Sequence, residues 1–110
     1  MTDVVLAFND AINAADLAGL EALMTEDHRF VDPAGSEVRG RAACVEAWRG
    51  FFAGFPDYRN VFDEVREVAP GEVVATGRSE CSDPRLDGPA QWSATVVDGR
   101  VARWQVDDDG

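Results

Sequence analysis

Residues 91–106 read QWSATVVDGRVARWQV. Two runs of alternating apolar and polar residues flank Asp98-Gly99, a dipeptide that favours a two-residue hairpin turn because both positions tolerate positive φ. The turn predicts strands over residues 91–97 and 100–106, and it sets their register. With strict alternation Val97 faces Arg100, Ser93 faces Trp104 and Gln91 faces Val106. One face then carries Gln91, Ser93, Thr95, Trp104 and Val106, and the other carries Trp92, Ala94, Val96, Val101 and Arg103. Each face holds a tryptophan, and apolar burial is worth about 25 cal/mol per Å². Both faces are therefore expected to be covered, one by helices of the same chain and the other by a second copy in a two-fold homodimer.

Upstream of the hairpin, residues 57–68 and 72–81 read as two more strands joined at Pro70-Gly71, and a loop with Pro84, Gly88 and Pro89 follows them. In the second of these strands Val73, Ala75, Gly77, Ser79 and Cys81 form a small inward set that leaves room for a ligand, with Val74, Thr76, Arg78 and Glu80 outward. Before Pro56 the period is helical. Val4, Val5, Phe8, Ala11 and Ile12 form one stripe, with Asp3 placed to cap it. Asp16 caps a second helix with Leu17, Leu20, Leu23 and Met24 on its buried side, and Cys44, Val45, Trp48, Phe51, Phe52 and Phe55 form a third stripe that ends at Gly54 and Pro56. Residues 28–31 form a short strand ending at Asp32-Pro33. Helices followed by a meander of strands predict one α+β domain over residues 1–110, with the helices packed on one face of an antiparallel sheet.

Composition narrows the function. The 110 residues are 45% hydrophobic and 28% charged, which is ordinary globular usage. Ten basic residues, all arginine, against 21 acidic ones give a net charge of -11, so nucleic-acid backbones and anionic membranes are repelled and neither is expected as a partner. No apolar run is long enough to span a bilayer, and an acid stands near the N-terminus where a secretory signal carries basic residues, so a cytoplasmic location is expected. Cys44 and Cys81 lie far apart without zinc or redox spacing and read as two reduced thiols. Asp107, Asp108 and Asp109 read as a solvated acidic tail.

The order and spacing of "DHRFVDPAG" (27–35), "GRAA" (40–43), "FPDYR" (55–59) and the closing "VVDGRVARWQV" (96–106) resemble the nuclear transport factor 2-like superfamily, which includes SnoaL-like polyketide cyclases and ketosteroid isomerases. The resemblance covers nearly the whole chain. It implies a cone-shaped fold around a deep pocket, and a homodimer through the outer sheet face, here Trp92, Val74, Thr76 and Arg78. It also implies an isomerase, cyclase or dehydratase type of activity on a small apolar molecule bearing a carbonyl.

Within that resemblance Asp32 stands where ketosteroid isomerases carry the general base that moves a proton beside a carbonyl; on local grounds alone it also reads as a turn cap before Pro33. Alternation along the short strand puts His28 and Phe30 on the side of Asp32. Phe8 replaces the tyrosine that those isomerases use as an oxyanion donor, and the second donor corresponds to Gln91 or Ser93. Each lost donor typically lowers the rate by roughly 100- to 1000-fold, which sets the chain apart from steroid isomerisation by that route. The differently placed acid and histidine neighbours of the SnoaL cyclases have no match here. The candidate catalytic set is Asp32, His28 and Gln91, and the candidate pocket lining is Phe8, Phe30, Trp48, Phe52, Phe55, Ser93, Trp104 and Val106. With one histidine and no further clustered ligand beside Asp27, His28 and Asp32, no metal is expected. No coenzyme fingerprint, glycine-rich phosphate loop or nucleophile elbow occurs, so no cofactor is expected and hydride and phosphoryl transfer are excluded. A non-catalytic ligand-binding or accessory dimerisation domain is the alternative to an enzyme.

Overall fold

The computed structural model describes residues 1–107, so Asp108 and Asp109 of the acidic tail lie outside the described residues. The chain forms α1 (Thr2–Asn13), α2 (Leu17–Leu23), β1 (Met24–Val31), β2 (Glu37–Arg39), α3 (Arg41–Gly54), β3 (Arg59–Ala69), β4 (Glu72–Glu80), β5 (Gly88–Val97) and β6 (Arg100–Asp107). The six strands make one sheet in the order β2-β1-β6-β5-β4-β3. Neighbours are antiparallel except β1 and β6, which run parallel. Three helices on a curved, unclosed sheet make the α+β cone expected from the sequence.

Each helix buries one stripe. Val5, Phe8 and Ile12 of α1, spaced one and two turns apart, are all buried, as are Cys44, Val45 and Trp48 of α3. Between α1 and α2 the chain turns at Ala15, which holds a left-handed φ of 53°, and Asp16 then caps α2 by accepting from the Gly19 amide at 3.0 Å. Asp3 lies inside the first turn of α1 rather than capping it. Met24, expected on the α2 stripe, instead opens β1, which has eight residues and so starts four before the predicted strand.

The hairpin turn forms as its sequence demands, with Asp98 at φ 51° and Gly99 at φ 78°, and Val97 faces Arg100. Beyond it the register differs from strict alternation. Val96 pairs with Val101 but Thr95 pairs with Arg103, leaving Ala102 as the extra residue of a β-bulge. Every later residue of β6 changes its cross-strand partner, so that Ala94 faces Trp104 and Trp92 faces Val106. Trp92 and Trp104 are now on the same side, 1% and 0% exposed. Gln91 and Ser93 are thereby corrected to the outer face and Trp92 to the inner one. The physical reason is burial: the bulge covers both indoles with one layer of helices, whereas perfect alternation would leave one in water.

The outer face of the hairpin is consequently polar. Arg103 spans it, donating to Thr95 Oγ1 (3.2 Å), Ser93 Oγ (3.0 Å), Gln105 Oε1 (2.8 Å) and Glu72 Oε1 (3.2 Å). A buried tryptophan no longer argues for a second copy there. Val74, Thr76 and Arg78 do alternate outward against buried Val73 and Ala75. At Gly77 the sheet bends: a Cβ there would meet the Val61 carbonyl and the Phe62 Cα, beside the register shift between Phe62 and Glu64.

Candidate active site

Between α3 and the concave side of the sheet lies a cavity of about 430 Å³, large enough for a small organic molecule. Helix α3 lends it Cys44, Ala47, Trp48 and Phe51, and the sheet lends Asn60, Ser79, Ala90, Trp92, Trp104 and Val106. Phe30, Asp32, Pro33 and Val38 line one side of the mouth, and Arg85, Leu86 and Asp87 with the first residues of β5, Gly88 and Pro89, line the other. The walls are mutually packed aromatics: Trp48 meets Phe30 edge-on at 5.7 Å between centroids, and Phe51 meets Tyr58 edge-on at 4.8 Å. Exposure falls steeply from mouth to floor. Pro33, Arg85, Asp87 and Pro89 are exposed, whereas Cys44, Asn60, Ser79, Trp92 and Trp104 are buried.

Asp32 stands at the rim. Its Oδ1 accepts from the backbone amides of Ala34 (3.0 Å) and Ser36 (2.9 Å), and its own amide donates to the Ser36 carbonyl at 3.0 Å. Asp32-Pro33 therefore opens the tight β1–β2 turn, completed by Gly35 at φ 89°, and the carboxylate is both turn cap and cavity wall. The two backbone bonds fix its orientation, and Oδ2 has no protein hydrogen-bond partner among the described residues.

His28 belongs to the core rather than the cavity wall. It is fully buried, its Nδ1 bonds the Val101 carbonyl at 2.6 Å, and its ring lies 5.7 Å from that of Phe8. Since a carbonyl only accepts, the proton sits on Nδ1, and Nε2 is left as a buried acceptor without a partner among the described residues. Burial pushes its pKa below the usual value, more strongly than the Val101 carbonyl and Asp27 push it up. Phe8 is likewise one layer behind the wall, against Trp104 at 4.6 Å. Phe52 stacks on Trp48 at 5.4 Å and Phe55 packs tilted against Phe51 at 5.1 Å, so both support lining residues without lining the cavity themselves. Of the remaining candidates, Phe30, Trp48, Trp104 and Val106 line it, and Gln91 and Ser93 do not.

Tyr58 and Asn60 line the cavity although the sequence did not single them out, Trp92 lines it although it was expected on the outer face, and Ser79 lines it as a member of the inward set expected for its strand. The Ser79 hydroxyl donates to Asn60 Oδ1 at 3.2 Å, and with that hydrogen committed the Tyr58 hydroxyl donates to Ser79 Oγ at 3.1 Å. Burial raises the Tyr58 pKa, so it stays a protonated donor, and burial likewise keeps Cys44 a thiol. At the mouth Arg85 pairs with Asp83 at 2.7 Å and pulls that carboxyl down to about 2. Among the described residues no three His, Cys, Asp or Glu side chains cluster as a metal site.

A curved sheet folded over helices, with an aromatic hollow open at one end and an acid at its lip, defines the cone-shaped pocket class of α+β domain. The chain belongs to the SnoaL-like domain family, whose model matches residues 5–104. It is similar to a "putative polyketide cyclase" from Sinorhizobium meliloti (TM-score 0.84, 21% identity, 94% of this chain and 93% of that one). It is similar as well to a "Putative SnoaL-like polyketide cyclase" from Jannaschia sp. CCS1 (TM-score 0.82, 22% identity, covering 97% and 83%). A "putative ketosteroid isomerase" from Kribbella flavida matches with TM-score 0.79 at 19% identity, covering 94% and 73%. At these identities the likeness shows the fold.

Proposed function

We propose that the cavity binds a small, largely apolar molecule bearing a carbonyl, and that Asp32 moves a proton on it, as an isomerase, cyclase or dehydratase does. The observation that carries this reading is the position of the Asp32 carboxylate: on the wall of a 430 Å³ aromatic cavity, with one oxygen fixed by two amides. A fixed carboxylate at the lip of an aromatic-walled cavity is arranged for general acid/base work, because the base meets its proton without first reorganising. A second reading, binding without catalysis, is favoured by those same two hydrogen bonds, which give Asp32 a structural task in the β1–β2 turn. A turnover screen of enones, lactones and epoxides with the wild type and Asp32→Asn separates the two. Loss of a positioned base lowers turnover by about 100-fold or more; equal rates in the two proteins remove Asp32 as the base, and binding without turnover by either leaves the binding reading standing.

A further inference from the structure

The outer face of the sheet carries a second hollow, of about 610 Å³, whose lining includes Arg29, Arg39, Arg103, Thr95, Ala102 and Asp27. It lies where β1 and β6 lose step. Met24 pairs with Val101 and Arg29 with Arg103, so residues 25–28 of β1 stand against Ala102 alone. The strands part there, and the methyl group of Ala102 fills little of the gap. No lining residue is shared with the aromatic cavity.

Register places three arginines in one row. Arg39 pairs with Arg29, Arg29 with Arg103 and Arg103 with Thr95, and paired residues stand on the same face about 5 Å apart. Like charges directly opposite one another destabilise a sheet. The chain has 21 acidic residues against ten arginines, so acids were plentiful for a row of alternating sign. The acids nearby answer the row unequally. Arg103 is held by Thr95, Ser93, Gln105 and, at 3.2 Å, Glu72. The guanidinium groups of Arg29 and Arg39 make no hydrogen bond among the described residues. They converge on one carboxylate oxygen, Glu37 Oε1, at 3.6 Å from Arg29 Nη1 and 3.3 Å from Arg39 Nε. Asp27 forms no ion pair among the described residues, and its Oδ1 accepts from Thr25 Oγ1 at 2.9 Å.

Both distances to Glu37 exceed the roughly 2.7–2.9 Å of a close charge-assisted bond. The side chains of Arg29 and Arg39 are 46% and 75% exposed, so their remaining N–H groups are open to a ligand, and an exposed ion pair of this kind contributes little to stability. We infer that the hollow is a site for a compact, doubly charged oxyanion: Arg29 and Arg39 are the binding pair, Arg103 is the fixed charge beside them, and Glu37 is a resident carboxylate that the ligand displaces. Two guanidinium groups that share one oxygen leave room for a second negative charge, and a phosphate or a dicarboxylate brings an anionic oxygen to each. That second charge is the ligand's advantage over Glu37. The net charge of -11 repels extended polyanions, whereas at ordinary salt a small ion responds to charges within about 10 Å.

The site is separate from the function proposed above and is tested without turnover. In protein labelled with 13C and 15N, the carbon-detected Nε–Cζ signals of the arginines, assigned by Arg→Gln variants, are followed at constant ionic strength and mildly alkaline pH while inorganic phosphate, malonate or acetate is added. The two dianions are expected to shift Arg29 and Arg39 saturably and to bind at least about tenfold more tightly than acetate. Arg49, paired with Glu46 on α3, should stay unmoved. Arg29→Gln and Arg39→Gln should each weaken phosphate binding by about tenfold or more, Arg49→Gln should leave it unchanged, and Glu37→Gln, which removes the resident carboxylate, should strengthen it. The tighter of phosphate and malonate names the ligand class. Shifts that never saturate, or that Arg49 shares, are ionic screening and overturn the site, as does equal affinity for acetate and the dianions. Unchanged or weaker binding in Glu37→Gln overturns the displacement. The wild-type titration decides the site even if one variant fails to fold.

Discussion

Acidification from about pH 7 to pH 5 is expected to weaken the fold through a single side chain. His28 is fully buried, donates from Nδ1 to the Val101 carbonyl at 2.6 Å, and has no partner for Nε2 among the described residues. Protonation would place a second N–H and a full charge against the Phe8 ring. Burial therefore holds its pKa below the ordinary histidine value of 6.5. The unfolded chain takes up a proton near 6.5 while the folded chain does not until lower pH, so between those values the unfolded state holds more protons. Stability must then fall as pH falls, by at most about 1.4 kcal/mol per pH unit for one proton, and above 6.5 this group contributes no slope. The carboxyls with lowered pKa, Asp3, Asp57 and Asp83, act lower, starting at the ordinary aspartate value of 3.8, so among these groups the interval between belongs to His28. Urea midpoints measured from about pH 8 down to pH 5 should be level and then decline in the wild type. In His28→Gln, which keeps a donor for Val101, they should stay level throughout. Parallel curves for the two proteins, or a wild type that gains stability on acidification, would refute the assignment of a neutral buried imidazole.

Two backbone positions give sharper tests of the fold. Gly77→Ala forces a Cβ against the Val61 carbonyl and the Phe62 Cα, and because both are backbone the strands must separate; a loss of about 1–3 kcal/mol in urea unfolding is expected, and an unchanged midpoint would mean that the bend does not depend on this contact. Ala15→Gly relieves the left-handed φ of 53° between α1 and α2 and should raise stability by about 0.5–1 kcal/mol, read as a higher thermal midpoint; a lower midpoint would show that α2 depends on the stiffness of alanine more than on the strain.

The elements were legible where local chemistry decides them. The Asp98-Gly99 turn needs positive φ at both positions and has it; the α3 stripe runs into Gly54 and Pro56 and stops; Asp16 accepts from the amide three residues on. Strand β2 gave no signal, because three residues flanked by Ser36 and Gly40 carry no periodicity and exist only as partners of β1. The face of β3 was not legible either, since its register against β4 shifts twice, and a shift exchanges inside and outside. Asn60 was missed for that reason, and Tyr58 with it. Alternation along the strand was expected to put His28 on the side of Asp32, but sharing a side of a strand does not mean reaching the same space: His28 is buried in the core, and β1 reaches the cavity only at Phe30.

The error in the hairpin and the character of the cavity have one cause. Val101 and Trp104 are three residues apart, a spacing that strict alternation cannot bring to one face, yet both are fully buried. Two ways out exist: a partner molecule over one face, or an extra residue in the strand. The chain takes the second at Ala102, and the choice has chemical consequences. Without the bulge Trp104 would stand beside Ser93 and Gln91, and the cavity would present a hydroxyl and a primary amide, each able to donate and accept. With it, those groups join Arg103 on the outer surface, and the interior receives Trp92 opposite Val106 and Trp104 opposite Ala94. A single inserted alanine thus decides which side chains of the last two strands meet the aromatic cavity and which join the polar outer surface.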